Sequence, residues 1–91
     1  MANFTKGAIS VAITATQIVA GDSTRKGLII SNTSTSATLF VGPTSAITTA
    51  NAIPVFPQGT FIMSGTDEQW AGDVWGISTT TIDVRFFEWG Q

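Results

Sequence analysis

The sequence predicts an all-β domain, a small β-sandwich or barrel of seven to eight short strands, jelly-roll-like in plan. Three observations predict it. Apolar residues alternate with polar ones along several short stretches, and nowhere do they hold a helical repeat of 3.6. Thr and Ser, 15 and 8 of the 91 residues, stand largely among Val, Ile and Phe. β-Branched side chains lose freedom in a helix and fit a pleated surface. Turn-forming clusters punctuate the chain about every ten residues, the strand spacing of a sandwich.

Each element follows from local pattern. Ile9, Val11 and Ile13 alternate with Ser10, Ala12 and Thr14 as a half-buried strand. Gln17-Ile18-Val19-Ala20 is a second strand, ended by the turn residues Gly21-Asp22-Ser23-Thr24. Gly27 to Asn32 is a continuous apolar run, expected as a central strand covered on both faces. Thr33-Ser34-Thr35-Ser36 forms a polar turn, and Ala37 to Gly42 is expected to return from it as a hairpin. A loop runs from Pro43 to Asn51. Ile53 to Phe56, with Pro54 inside and Pro57 behind, suits a sheet edge. Gln58-Gly59 turns the chain into Thr60 to Ser64; Asp73 to Ser78 and Thr81 to Trp89 are the last strands, after a connection holding Asp67, Glu68 and Trp70. The length leaves room for one core. Residues 8–91 are expected to form that domain and residues 1–7 an amino-terminal arm ordered on contact with a neighbour.

Composition removes most functional classes. The chain has no Cys, no His and no Tyr, 4 Lys and Arg, 6 Asp and Glu, and a net charge of -2. Disulfides, thiol nucleophiles, iron–sulfur ligation, zinc and blue-copper sites and every Ser–His or Cys–His arrangement are thereby excluded. The carboxylates Asp22, Asp67, Glu68, Asp73, Asp83 and Glu88 are adjacent only at Asp67-Glu68, and neighbours on a strand point to opposite faces. No enzyme and no cofactor is expected. Asp73, Asp83 and Glu88 could offer oxygen to Ca²⁺, but no calcium-loop spacing is present, and solvated strand ends with Arg85 as a cross-strand partner explain them more simply. Arg25-Lys26 is a pair and not a basic stripe, so nucleic acid is not an expected partner. Lys6 precedes an apolar stretch broken by Thr14 and Thr16, unlike a secretory signal, and no run approaches a membrane span. Only 11% of residues are charged, unusually few for a protein that must stay apart from its neighbours.

The aromatic residues carry the remaining signal. Phe40, Phe61 and Trp75 lie in apolar strands and are expected in the core. Trp70, in a polar loop, either lids the core or anchors a partner. In the last strand Ile82, Val84 and Phe86 share one face, while Asp83, Arg85 and Phe87, followed by Trp89, share the other. Either a bulge near Phe86-Phe87 returns Phe87 and Trp89 to the core, or both face outward and are covered by another chain. Trp residues also stack on sugars, which keeps a carbohydrate-binding module in view, although their spacing forms no ladder.

A resemblance sharpens this. The order Arg25-Lys26-Gly27-Leu28-Ile29-Ile30-Ser31-Asn32, Leu39-Phe40-Val41-Gly42, Thr48 to Gly59, Val74-Trp75-Gly76-Ile77-Ser78 and Asp83-Val84-Arg85-Phe86-Phe87-Glu88-Trp89 resembles small β-structured virion proteins of tailed bacteriophages. Their pattern is an Arg-led strand ending in Asn, a Val-Gly strand end, a T-x-x-N loop, a Pro-Gly turn and a D-V-R…E-W terminus. Here Pro57-Gln58-Gly59 stands in place of the tighter Pro-Gly turn. The resemblance spans roughly residues 8 to 90. It implies a capsid decoration (cement) protein on the outer surface of the virion, made in the bacterial cytoplasm and bound to the major capsid protein as a homo-oligomer, a trimer being favoured. A tail or fibre component that recognises a host receptor or carbohydrate is the alternative. Phe87 and Trp89, then Phe4 and Trp70, are the expected apolar contacts, with Arg25, Lys26 and Arg85 pairing with partner carboxylates.

Overall fold

The alternation read from the sequence becomes two layers. The computed structural model describes residues 3–21, 25–64 and 72–90, which form eight strands and no helix. They are β1 (Asn3–Val11), β2 (Thr16–Val19), β3 (Arg25–Asn32), β4 (Leu39–Gly42), β5 (Ile53–Val55), β6 (Thr60–Ser64), β7 (Val74–Ser78) and β8 (Ile82–Gly90). One sheet has the order β1-β8-β3-β6 and the other β2-β7-β4-β5. Strands pair first with last: β1 with β8, β2 with β7, β3 with β6 and β4 with β5, all antiparallel. A long hairpin rolled up on itself gives this nesting, which is the jelly-roll arrangement of a β-sandwich.

The core lies between the sheets. Val11, Leu28, Ile30, Ile82 and Val84 of the first sheet meet Ile18, Val19, Leu39, Val41, Val55 and Val74 of the second, with Ile9, Phe61, Met63 and Phe86 packed around them. Leu28, Ile30, Leu39, Val41 and Val84 are almost wholly buried, each contributing about 1.5–3 kcal/mol relative to an exposed side chain.

Several expectations change. The hairpin expected across residues 33–36 does not form: β3 and β4 belong to different sheets. The cause is Asn32, fully buried, whose amide donates to the carbonyls of Ala37 (2.8 Å) and Val55 (3.0 Å) while its Oδ1 accepts the Ser34 N–H (3.0 Å). Those bonds hold the chain as it crosses from one layer to the other. The stretch expected as an arm enters the sheet from Asn3 onward, in register with β8 as far as Gly90. β3 is not covered on both faces, since its outer residues Gly27, Ile29 and Ser31 back onto no further layer among the described residues. Phe40 and Trp75 leave the core. Leu39, Val41, Val74 and Gly76 take the inward positions, so alternation turns both aromatics onto the outer face of the second sheet, half-buried. Phe61 does face inward.

The loop at residues 43–52 is held by its own polar groups. The Thr48 N–H donates to Asn51 Oδ1 (2.7 Å), and the Asn51 and Ala52 amides donate back to the Thr48 carbonyl (3.2 Å each). The T-x-x-N pattern is thus a closed turn. At 56–59 the Gly59 N–H donates to the Phe56 carbonyl (2.8 Å), and Gln58 takes a φ of 60°. With Pro57 before it, this is a type II-like turn with Gln where glycine is usual.

A candidate docking face

The outer face of the first sheet is set by the register of its four strands. Lys6 stands opposite Phe87, Phe87 opposite Ile29, and Ile29 opposite Ile62. One step along, Trp89 lies opposite Gly27, and on the other side Arg85, Ser31 and Thr60 form a polar row that ends at Ala8 on β1. Ile62 is 63% exposed and Phe87 40%, with half-buried Ile29 between them, so an apolar stripe crosses three neighbouring strands. The rings of Phe87 and Trp89 are 5.7 Å apart and tilted by 43°, a favourable aromatic geometry. Trp89 lies flat because its cross-strand neighbour is glycine: a methyl group on Gly27 would overlap the indole.

The register decides which way Phe87 and Trp89 point. β8 keeps unbroken register with β1 from Ile82 to Gly90, with no bulge at Phe86-Phe87. Phe86 points inward; Phe87 and Trp89 share the outer face. The irregularity sits instead in β3, between Arg25 and Gly27. It turns Arg25 out of phase with Gly27, Ile29 and Ser31, and into the interior.

Arg25 is therefore not a surface residue. Its side chain has 0% exposure, and its Nε donates to Glu88 Oε2 at 2.8 Å. Nη1 donates to the Gly72 carbonyl (3.0 Å) and Nη2 to that of Ala20 (2.6 Å). Beside it the Gly21 N–H donates to Asp73 Oδ1 (2.7 Å). This polar cluster ties the end of β2, the start of β7 and the end of β8 together, so the expected pairing of Arg25 with a partner's carboxylate is replaced by a bond within the chain. Lys26, at the bulge, is exposed. Arg85 is exposed too, bonded to Asp83 on the same strand face at 2.9–3.0 Å; such a surface pair contributes little to stability. Phe4 stands opposite Trp89 in register. Trp70 lies outside the described residues.

The face thus gathers Phe87, Trp89 and Arg85 from the predicted set and adds Ile29 and Ile62, which the sequence reading placed in strands without assigning them a side. The signal for both was the parity of their strands against Leu28, Ile30, Phe61 and Met63. Asp83 and Glu88 point to opposite faces of β8 and cannot share an ion, and no metal-binding cluster occurs among the described residues. Trp75 and Trp89 lie on opposite sides of the sandwich, so they offer no common stacking platform.

Fold and site together define a β-sandwich whose first sheet presents an apolar stripe flanked by Lys6 and by the Arg85–Asp83 pair, with no described element over it. Comparison with protein-family models, with curated proteins and with solved structures gives no match in any of the three.

Proposed function

We propose that this chain is a non-enzymatic structural protein of the tailed-bacteriophage particle, a capsid decoration (cement) protein that lays its first sheet on the major capsid protein and stabilises the head. The observation that carries the reading is the stripe Phe87–Ile29–Ile62 beside Trp89, on a sheet face that no described element covers. Isolated exposed apolar residues are ordinary, whereas a contiguous row of them across a sheet marks a binding surface. The resemblance of its residue pattern to phage virion proteins is the ground for naming this particular assembly. Jelly rolls also serve as lectins and enzymes, so the fold alone selects no function.

The chemistry of the partner follows from the rim. Lys6, Lys26 and Arg85 are the exposed cations among the described residues; Lys6 and Arg85 belong to this face, Arg85 together with its partner Asp83. An apolar capsid surface bordered by carboxylates complements it, with the charges setting orientation and on-rate more than affinity. Strands about 4.8 Å apart, two of them nine residues long, give a face on the order of 500 Å², comparable to the roughly 800 Å² each partner gives to a standard interface.

The test is occupancy on purified particles. Phe87→Ala with Ile29→Ala is expected to lower bound copies at least about tenfold, because central apolar anchors dominate such interfaces. Unchanged occupancy rejects this face as the contact. Counting copies per virion by mass analysis tests location: hundreds place the protein on the shell, and a handful reject the decoration reading in favour of the tail.

A further inference from the structure

The sandwich has four edge strands, and three of them are guarded. Unguarded edges invite strand addition, and proteins block it with a charge, a proline or a bulge. β1 carries Lys6, β5 carries Pro54, and β2 shifts register between Gln17 and Val19. β6, Thr60-Phe61-Ile62-Met63-Ser64, has none of these, and β3 is its pairing partner among the described residues.

The direction of its free groups can be worked out. The Asn32 N–H donates to the Gly59 carbonyl at 3.0 Å. Hydrogen-bonded and non-bonded pairs alternate along an antiparallel ladder, so Phe61 and Met63 also turn their backbone groups toward β3. Thr60, Ile62 and Ser64 turn theirs toward the open edge. The side chains of Phe61 and Met63 pack inward on the core, and that of Ile62 stands on the outer face.

We propose that β6 pairs with β6 of a second copy of this chain, antiparallel about a twofold axis through Ile62, to make one eight-stranded sheet. The segment is a palindrome in chemical type. In this register Thr60 meets Ser64 of the second copy, Phe61 meets Met63, and Ile62 meets Ile62. Every outward N–H and C=O of the strand finds a partner, no like charges meet, and both sheet faces run on unbroken because same-face residues oppose each other. The apolar stripe continues across the axis, from Phe87, Ile29 and Ile62 of one copy to Ile62, Ile29 and Phe87 of the other. The inward pairs Phe61 and Met63 fall at the mouth of an apolar cleft of about 210 Å³, lined also by Val41, Ile53 and Val74. A second copy fits this edge better than an unrelated peptide because the strand's own pattern complements itself.

Sedimentation of the full chain over a concentration series tests the pairing. The wild type is expected to shift from monomer to dimer, with exchange protection of the Ile62 amide rising in step. Ile62→Lys puts like charges on the axis and is expected to weaken dimerisation about 100-fold or more, with the circular dichroism of the monomer unchanged. Ile62→Glu alone should do the same, and mixing the two variants should restore a mixed dimer. A wild type that stays monomeric or forms trimers overturns the proposal; so does an Ile62→Lys chain that dimerises as before, or protection of the Ile62 amide that ignores concentration. The capsid reading is judged separately by particle occupancy, so either can fail while the other stands.

Discussion

Neutralising Glu88 is expected to destabilise the fold sharply although Glu88 is a member of neither the core cluster nor the docking face. Arg25 has no exposed side-chain surface, Glu88 is 13% exposed, and their bond is 2.8 Å long. Glu88→Gln keeps an acceptor at the site but removes the carboxylate charge 2.8 Å from a guanidinium with no exposed surface. Breaking one side of a buried pair costs about 3–5 kcal/mol; with an acceptor kept, the lower end applies, about 3 kcal/mol. A domain of this length has about 5–14 kcal/mol in total, so the midpoint of thermal unfolding should fall by about 12–24 °C. Arg25→Met should cost a similar amount, because it strips the Ala20 and Gly72 carbonyls of their donor and leaves Glu88 without its cation. The double variant Arg25→Met with Glu88→Leu removes both charges and should cost less than the sum, with a coupling of about 2 kcal/mol. Urea denaturation followed by Trp fluorescence measures all four corners of the cycle. A Glu88→Gln loss below about 1 kcal/mol would refute the inward turn of Arg25 at the β3 bulge, since a solvated pair contributes no more than that.

Three further outcomes follow from individual positions. Asn32→Ala leaves the buried carbonyls of Ala37 and Val55 without their donor and is expected to cost about 3 kcal/mol in the same denaturation assay; a loss under about 1 kcal/mol would mean that water reaches the crossing between sheets. Gln58→Gly relieves a left-handed backbone at φ 60° and should raise stability by about 0.5–1 kcal/mol, whereas a lowered denaturation midpoint would contradict the assigned turn. Gly27→Ala pushes the Trp89 indole off the sheet, with a cost of about 1–3 kcal/mol and a shift of one indole N–H resonance; a spectrum identical to wild type would show that Trp89 does not lie over Gly27.

How much of this was legible in the sequence depends on how local each cause is. Strand existence was legible, because alternation and turn residues act over a few positions: all eight strands fall where the pattern puts them, within two or three residues at most ends, although β1 begins six residues before Ile9. Pairing was less so. Thr33 to Ser36 reads as a hairpin loop, yet Asn32 reaches Val55 and Phe56 far along the chain and sends β4 to the other sheet. Phe40 and Trp75 were expected in the core because they are large and apolar; the inward side of their strands is already taken by Leu39, Val41, Val74 and Ser78. For Phe87 and Trp89 the sequence narrowed the choice to two readings. What separates them is the smallness of Gly27 on a neighbouring strand and a bulge at Arg25, neither of which the last strand's own residues can report.

The two parities of β3 divide the labour of the molecule. Arg25, Leu28, Ile30 and Asn32 face inward: the ends hold the polar clusters that fasten the sandwich, and the middle fills its core. Gly27, Ile29 and Ser31 face outward among Trp89, Phe87, Arg85 and Ile62. A change on the inner set is therefore paid in folding free energy, and loss of binding there says nothing about contact. A change on the outer set, apart from Gly27 beneath its indole, alters little but the surface offered to a partner. Binding lost through Ile29, Phe87 or Ile62 beyond what any fall in the denaturation midpoint explains would locate the contact on this face, because Ile62 and Phe87 keep 63% and 40% of their surface exposed. Equal loss through inner and outer positions, tracking the midpoint, would instead mean that the partner detects only whether the chain is folded.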